Sequence, residues 1–185
     1  ELYPIETGNL KLDGGAMFGV VPKVLWQKHY PADENNLCNW SMRCLLVVDG
    51  DRKILIDNGI GNKQDEKWLK HYYLNSDATL EGSLKNAGFS PEEITDVIIT
   101  HMHFDHCGGS VKWNEDNTAY ELAFPNAKYW TSQQQFDWAV NPNRRESASF
   151  LKENILPLHE SGKLNLIDTE GEHIPNITFK LYNGH

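Results

Sequence analysis

The stretch Asp96-Val97-Ile98-Ile99-Thr100 constrains the fold more than any other part of this chain. Three β-branched residues in succession show no apolar-polar alternation, which is the pattern of a strand covered on both faces. Such a strand lies inside a sheet with other elements packed over it, so the chain has to build layers. The flanks agree. Before it, Leu80, Leu84 and Ala87 recur at helical spacing with Gly88 as the stop, and Ser90-Pro91 with Glu93 forms a capping box. After it, residues 127–140 read as a strand followed by a helix that begins at Ser132.

The remaining segments extend an α/β pattern. Leu45 to Val48 and Ile54 to Ile56 flank Asp49-Gly50-Asp51, a hairpin signal. Asp13-Gly14-Gly15 reads as a second turn between extended segments, and the polar, aromatic stretch 24–41 as a long loop of the kind that often carries function. A helix is expected through 145–162, with Leu151, Ile155 and Leu158 on one face and Pro157 kinking or ending it. Residues 177–182 alternate as a half-buried strand. With 185 residues and no internal repeat, a single domain over 1–185 is expected.

Composition excludes some partners. A formal charge of −9 argues against a nucleic-acid backbone, and the short Arg144-Arg145 pair is read as a solvated helix start. No apolar run approaches the roughly 18 to 20 residues that span a bilayer, so no membrane partner is expected. Cys38, Cys44 and Cys107 have no C-x-x-C spacing and cannot form a closed disulfide set, which favours a reducing compartment such as the cytoplasm. An opening at Glu1 without Met is expected of a trimmed chain and keeps a secreted or periplasmic destination open.

Directly after the buried run comes His101-Met102-His103-Phe104-Asp105-His106-Cys107-Gly108-Gly109. His101 and His103 are two apart, so in an extended segment they project to the same side. Asp105 and His106 lie where the glycines force a turn, which can aim them at a second point nearby. Imidazoles crowded with a carboxylate are what a transition-metal site requires, and the spacing suits two adjacent ions. Cys107 is read as a small apolar residue packed under the loop rather than as a ligand or nucleophile. His29, with Trp26 and Tyr30, is a candidate to face substrate; His71, His159 and His173 lack companions and are read as surface or core histidines.

The motif His101-Met102-His103-Phe104-Asp105-His106 resembles the H-x-H-x-D-H signature of metallo-β-lactamase-fold hydrolases. Residues 54–61 resemble that family's strand ending in Asp-x-Gly, residues 90–109 its helix, strand and metal loop, and residues 181–185 its later Gly-His ligand strand. The resemblance implies an α/β four-layer αβ/βα sandwich whose C-terminal part lies beyond this chain. It assigns His101, His103 and His185 to a first metal, Asp105 and His106 to a second, and Asp57 to buttressing the loop. Spacing alone fits an ordinary Asp-Asn-Gly turn at Asp57 equally well. A bridging Asp and a last His are expected beyond His185.

Two zinc ions are the implied cofactor, with iron or manganese as alternatives. The implied activity is hydrolysis of a small ester, lactone or phosphotriester by a metal-bound hydroxide, with Asp105 as the catalytic carboxylate. The general look of the chain is closest to the lactonase and organophosphate-hydrolase branch. Glyoxalase-II-like thioester hydrolysis, a mononuclear-iron sulfur dioxygenase and a metal-binding protein without catalysis are the alternatives. The expected partner is a small-molecule substrate, and a homodimer is allowed.

Overall fold

The computed structural model describes residues 1–184. Strand β1 (Leu2–Asp13) leads through the short helices α1 (Gly14–Phe18) and α2 (Lys23–Trp26) into β2 (Leu37–Asp49) and β3 (Arg52–Ile56). Helices α3 (Glu66–Leu69) and α4 (Leu80–Asn86) precede β4 (Asp96–Ile98), and a single helical turn, α5 (Phe104–Cys107), follows it. A small ribbon of β5 (Val111–Trp113) and β6 (Tyr120–Leu122) leads to β7 (Lys128–Ser132), α6 (Gln133–Val140) and α7 (Lys152–Glu160). The described chain closes with β8 (Leu164–Ile167), β9 (Gly171–Ile174) and β10 (Ile177–Phe179).

Six strands form one sheet in the order β1-β2-β3-β4-β7-β8. The β1/β2 and β2/β3 pairs are antiparallel, whereas β3/β4, β4/β7 and β7/β8 are parallel. β4 therefore lies inside the parallel half, and its unbroken apolar run is explained by cover on both faces. Val97 and Ile99 face a core with Leu55, Leu84, Tyr129, Ile155 and Leu158. Ile98 faces the other way, onto Ile54 and the β9–β10 ribbon through Ile174. Each such side chain contributes about 1.5–3 kcal/mol by leaving water, so the strand is anchored through both layers. Its C-terminal end, beside those of β3 and β7, is the kind of sheet edge at which parallel α/β folds bind ligands. Among the described residues no helix is long and apolar enough to cross a membrane.

Several expectations need correction. Stretch 24–41 is not one loop: α2 occupies its start, and β2 begins at Leu37, with Leu37 paired to Asp13. Exposed Asn39 and Ser41 hide the alternation of Cys38, Met42, Cys44 and Leu46 on the buried face. Asp13-Gly14-Gly15 is not a turn between strands; Asp13 caps α1 by accepting from the Ala16 N–H at 2.9 Å. α7 starts only at Lys152 and runs through Pro157 to Glu160, because Ile155 and Leu158 anchor it to the core on both sides of the proline. Arg144-Arg145 sits in a turn held by the Asn143 side chain, which accepts from the Arg145 and Glu146 amides, rather than at a helix start. The last strand ends at Phe179 instead of reaching Tyr182; beyond it, the Leu181 amide donates to Glu170 Oε1 at 3.0 Å.

Candidate metal centre

The two strand ends that carry the site are joined before any side chain is considered. The Asp57 amide donates to the Ile98 carbonyl at 2.8 Å, which continues the β3/β4 ladder into the loops. Beyond β4 the chain bends at Thr100, runs without regular structure to His103, where the backbone is extended, and then turns once as α5. Met102 is fully buried in the core, whereas its neighbours His101 and His103 are only partly buried. Their rings meet edge-on with centroids 4.7 Å apart. α5 brings His106 back over the same place, its ring centroid 3.9 Å from that of His101. Asp105 Oδ2 lies 3.7 Å from His106 Nε2.

Asp57 organises this group from β3. Its backbone adopts a left-handed conformation (φ 58°), which Asp tolerates better than most residues, and its carboxylate serves three donors. Oδ1 accepts from the Thr100 amide at 2.8 Å, Oδ2 from the Thr100 hydroxyl at 2.8 Å, and Oδ2 also lies 2.8 Å from His106 Nδ1. A carboxylate can only accept, so His106 Nδ1 carries the proton and the ring's lone pair is on Nε2. The Thr100 hydroxyl spends its single proton on Asp57, so His101 Nδ1, 3.1 Å from Thr100 Oγ1, is the donor there and its lone pair also falls on Nε2. Burial disfavours charge on His106, but the hydrogen bond to Asp57 and the charges of Asp105 and Asp57 outweigh it and raise its pKa.

Backbone contacts hold the loop against the segment after β3. The Asn58 amide donates to the His106 carbonyl at 2.9 Å, and the Gly109 amide to the Gly59 carbonyl at 3.0 Å. A Cβ on Gly108 would lie 2.2 Å from the Ile60 carbonyl oxygen, and one on Gly109 2.2 Å from that of Asn58. Only glycine permits this approach. Asn58 Nδ2 donates to Ser110 Oγ at 2.7 Å, and the Lys63 ammonium donates to the Gly108 carbonyl.

The sequence-derived site residues divide accordingly. His101, His103, Asp105 and His106 come together, and Asp57 is hydrogen-bonded to Thr100 and His106. His185 lies outside the described residues. Among the described residues no group of three or more His, Cys, Asp or Glu side chains converges to hold an ion by itself. The donors present fit a transition metal in kind: imidazoles carrying Nε2 lone pairs, His106 oriented at Nδ1 by the Asp57 carboxylate and His101 by the Thr100 hydroxyl, with a second carboxylate, Asp105, adjacent. Cys107 is packing, as expected: it is 1% exposed, its Sγ lies 3.4 Å from the Met102 carbonyl, and burial pushes its thiol up to about 12.

Trp26 and Tyr30 belong to an aromatic stack with Phe18 and Trp40, while His29 is exposed. His159 packs on Phe136, and His173 contacts the Thr169 carbonyl. Thr100 and Lys63 carry no sequence signal of their own; both are defined by partners far away in the chain. A cavity of about 300 Å³ lined by Thr7, Asn58, Leu80, Gly109 and Phe124 lies behind the loop and includes none of the histidines.

The family model for the metallo-beta-lactamase superfamily matches residues 43–184. A probable metal-dependent hydrolase from Staphylococcus aureus shares 34% identity at a TM-score of 0.85, covering 96% of this chain and 62% of its own. The structure of AidC, a dizinc quorum-quenching lactonase in complex with a product, is 25% identical at a TM-score of 0.66, covering 91% of this chain and 58% of its own. N-acyl homoserine lactonases of Bacillus cereus and Bacillus thuringiensis are each 25% identical, over 81% and 100% of this chain. The chain spans 56% and 66% of the lengths of those two lactonases.

Proposed function

The chain belongs to the metallo-beta-lactamase superfamily, and from that premise we propose that it acts as a metal-dependent hydrolase of small esters or lactones. The observation that carries the reading is the shared use of Asp57. One carboxylate fixes the loop backbone at Thr100 and, directly at His106 and through Thr100 at His101, sets two imidazoles with the lone pair on Nε2. His101 and His103, with His185, would hold one ion, and Asp105 with His106 would contribute to a second. A bound zinc supplies Lewis acidity toward a carbonyl or phosphoryl oxygen and a water that ionises near pH 7.

The chain's own groups do the rest. Asp105, about one fifth exposed and beside His106, is the carboxylate placed to hold a proton at Oδ2 and return it to the departing oxygen. Phe104 packs with Trp68 and Tyr72, centroids 5.1 and 4.6 Å away, and closes one flank of the loop to water. The lactonases among the relatives, at 25% identity, favour a lactone over a phosphotriester or thioester as substrate.

The test is a substrate panel on the metal-replete protein: N-acyl homoserine lactones, aryl esters, a glutathione thioester and a phosphotriester. The expected result is chelator-sensitive lactone opening with one proton released per turnover. Faster thioester cleavage would move the substrate class. Oxygen consumption with one iron per chain would replace hydrolysis by oxidation, and metal uptake with no turnover would leave a binding protein.

A further inference from the structure

Lys63 is a buried lysine, 7% exposed, and its ammonium donates to the Gly108 carbonyl at the end of the ligand loop. Its own carbonyl accepts from Trp113 Nε1 at 3.2 Å, which pins the residue from the β5 side. Among the described residues its ammonium makes no ion pair. The titratable groups that act on it are Cys107 of α5 and Glu153 of α7. A desolvated ammonium without a carboxylate is costly, and Met would fill comparable space without that cost. Asp57 holds the near end of the ligand loop at Thr100 and His106, six residues before Lys63 holds its far end. One segment therefore grips the loop with a carboxylate on one side and an ammonium on the other.

We propose that Lys63 is a positioning residue, whose charged hydrogen bond to the Gly108 carbonyl sets the loop that presents His101, His103, Asp105 and His106. The inference rests on the reading of that loop as a metal centre. Hydrogen bonds from ionised donors are shorter and stronger than neutral ones, so the hold depends on the ammonium form. Burial lowers the Lys63 pKa from 10.5 to about 8, with Cys107 and Glu153 acting in the opposite direction. The bond is thus charged at pH 7 and largely neutral at pH 9.

The experiment is a zinc titration against a competing chelator for wild type, Lys63→Met and Lys63→Gln, each first shown to be folded by a cooperative melt. At pH 7, Lys63→Met should bind zinc roughly 10- to 100-fold more weakly, the usual effect of removing a residue that orients ligands. Lys63→Gln, which keeps an N–H donor, should fall between. At pH 9 the gap between wild type and Lys63→Met should narrow, because the ligands' own protonation cancels in the ratio. Equal or tighter binding by Lys63→Met overturns the proposal. So does a gap that is the same at both pH values, which is the mark of packing alone.

If neither variant folds, hydrogen exchange at the Gly109 amide of the wild-type apoprotein replaces the titration. Its protection, corrected for intrinsic rate and taken relative to the core Ile99 amide, which carries the global change in stability, should fall from pH 7 to pH 9, and protection that only follows Ile99 counts against Lys63. If the wild type takes up no zinc, the metal-centre reading fails. The same exchange measurement still decides whether Lys63 holds the loop.

Discussion

Asp57 Oδ2 lies 2.8 Å from His106 Nδ1, although 49 residues separate the two in sequence. The contact crosses from the end of β3 to the turn after β4, strands that run parallel and in register from Ile54/Asp96 to Ile56/Ile98. Sheet pairing therefore sets the distance, and the carboxylate converts it into a tautomer.

Replacing Asp57 by Asn tests that conversion. A carboxamide can turn its NH2 toward Nδ1, which would move the imidazole proton to Nε2 and remove the lone pair a metal needs. Zinc affinity at the Asp105–His106 side should fall roughly 10- to 100-fold, and nitrogen-15 NMR of His106 should show the exchanged tautomer. An unchanged tautomer with unchanged affinity would refute this role.

Gly109→Ala tests the backbone lacing. The new Cβ would sit 2.2 Å from the Asn58 carbonyl oxygen, so one of two hydrogen-bonded main chains must move. The expected cost is about 3 kcal/mol, read as a lowered urea midpoint. Gly162→Ala is the control: its φ of +71° disfavours Ala, but nothing lies within 4 Å. It should lose only about 1–2 kcal/mol, and equal losses at the two positions would remove the close approach as the cause.

Stability should depend on pH through Lys63. A pKa lowered from 10.5 to about 8 means that between these values the unfolded chain binds more protons than the folded one. Stability then rises with pH across that window, and below about pH 8 the burial cost is present in full. Lys63→Met removes the cost, so at pH 7 the variant should be more stable than wild type by roughly 3 kcal/mol as an upper estimate. The advantage should shrink toward pH 10.5. Denaturant melts at pH 7 and pH 10 check it, and a constant difference would contradict it.

How much of this was legible in the sequence depends on range. β4 announces itself because Val97, Ile98 and Ile99 are apolar whichever face they take, and the histidine loop because its three imidazoles and Asp105 lie within six positions. α1 and the start of β2 are hidden in the sequence for a local reason. Asp13-Gly14 serves a helix cap as readily as a turn, and exposed Asn39 and Ser41 mask an alternation visible only once β1 is paired. Thr100 and Lys63 could not be found locally. Their roles consist of bonds to residues 43 and 45 positions away, and such distances are a product of the fold.

Cys107 should prove chemically quiet despite its place beside His106. With its thiol buried and pushed up to about 12, little thiolate exists near neutral pH. Iodoacetamide at pH 8 should label it only as the protein unfolds, and rapid labelling of the native state would contradict the packing role.

The most direct measurement for the central claim is the metal content of wild type and of His103→Ala, by elemental analysis after equilibration with zinc and removal of the excess. The expected result is that the wild type retains zinc and the variant loses it together with lactone hydrolysis, while both keep the same far-ultraviolet circular dichroism. Retention of both metal and activity by His103→Ala would contradict the assignment of this loop as the metal centre.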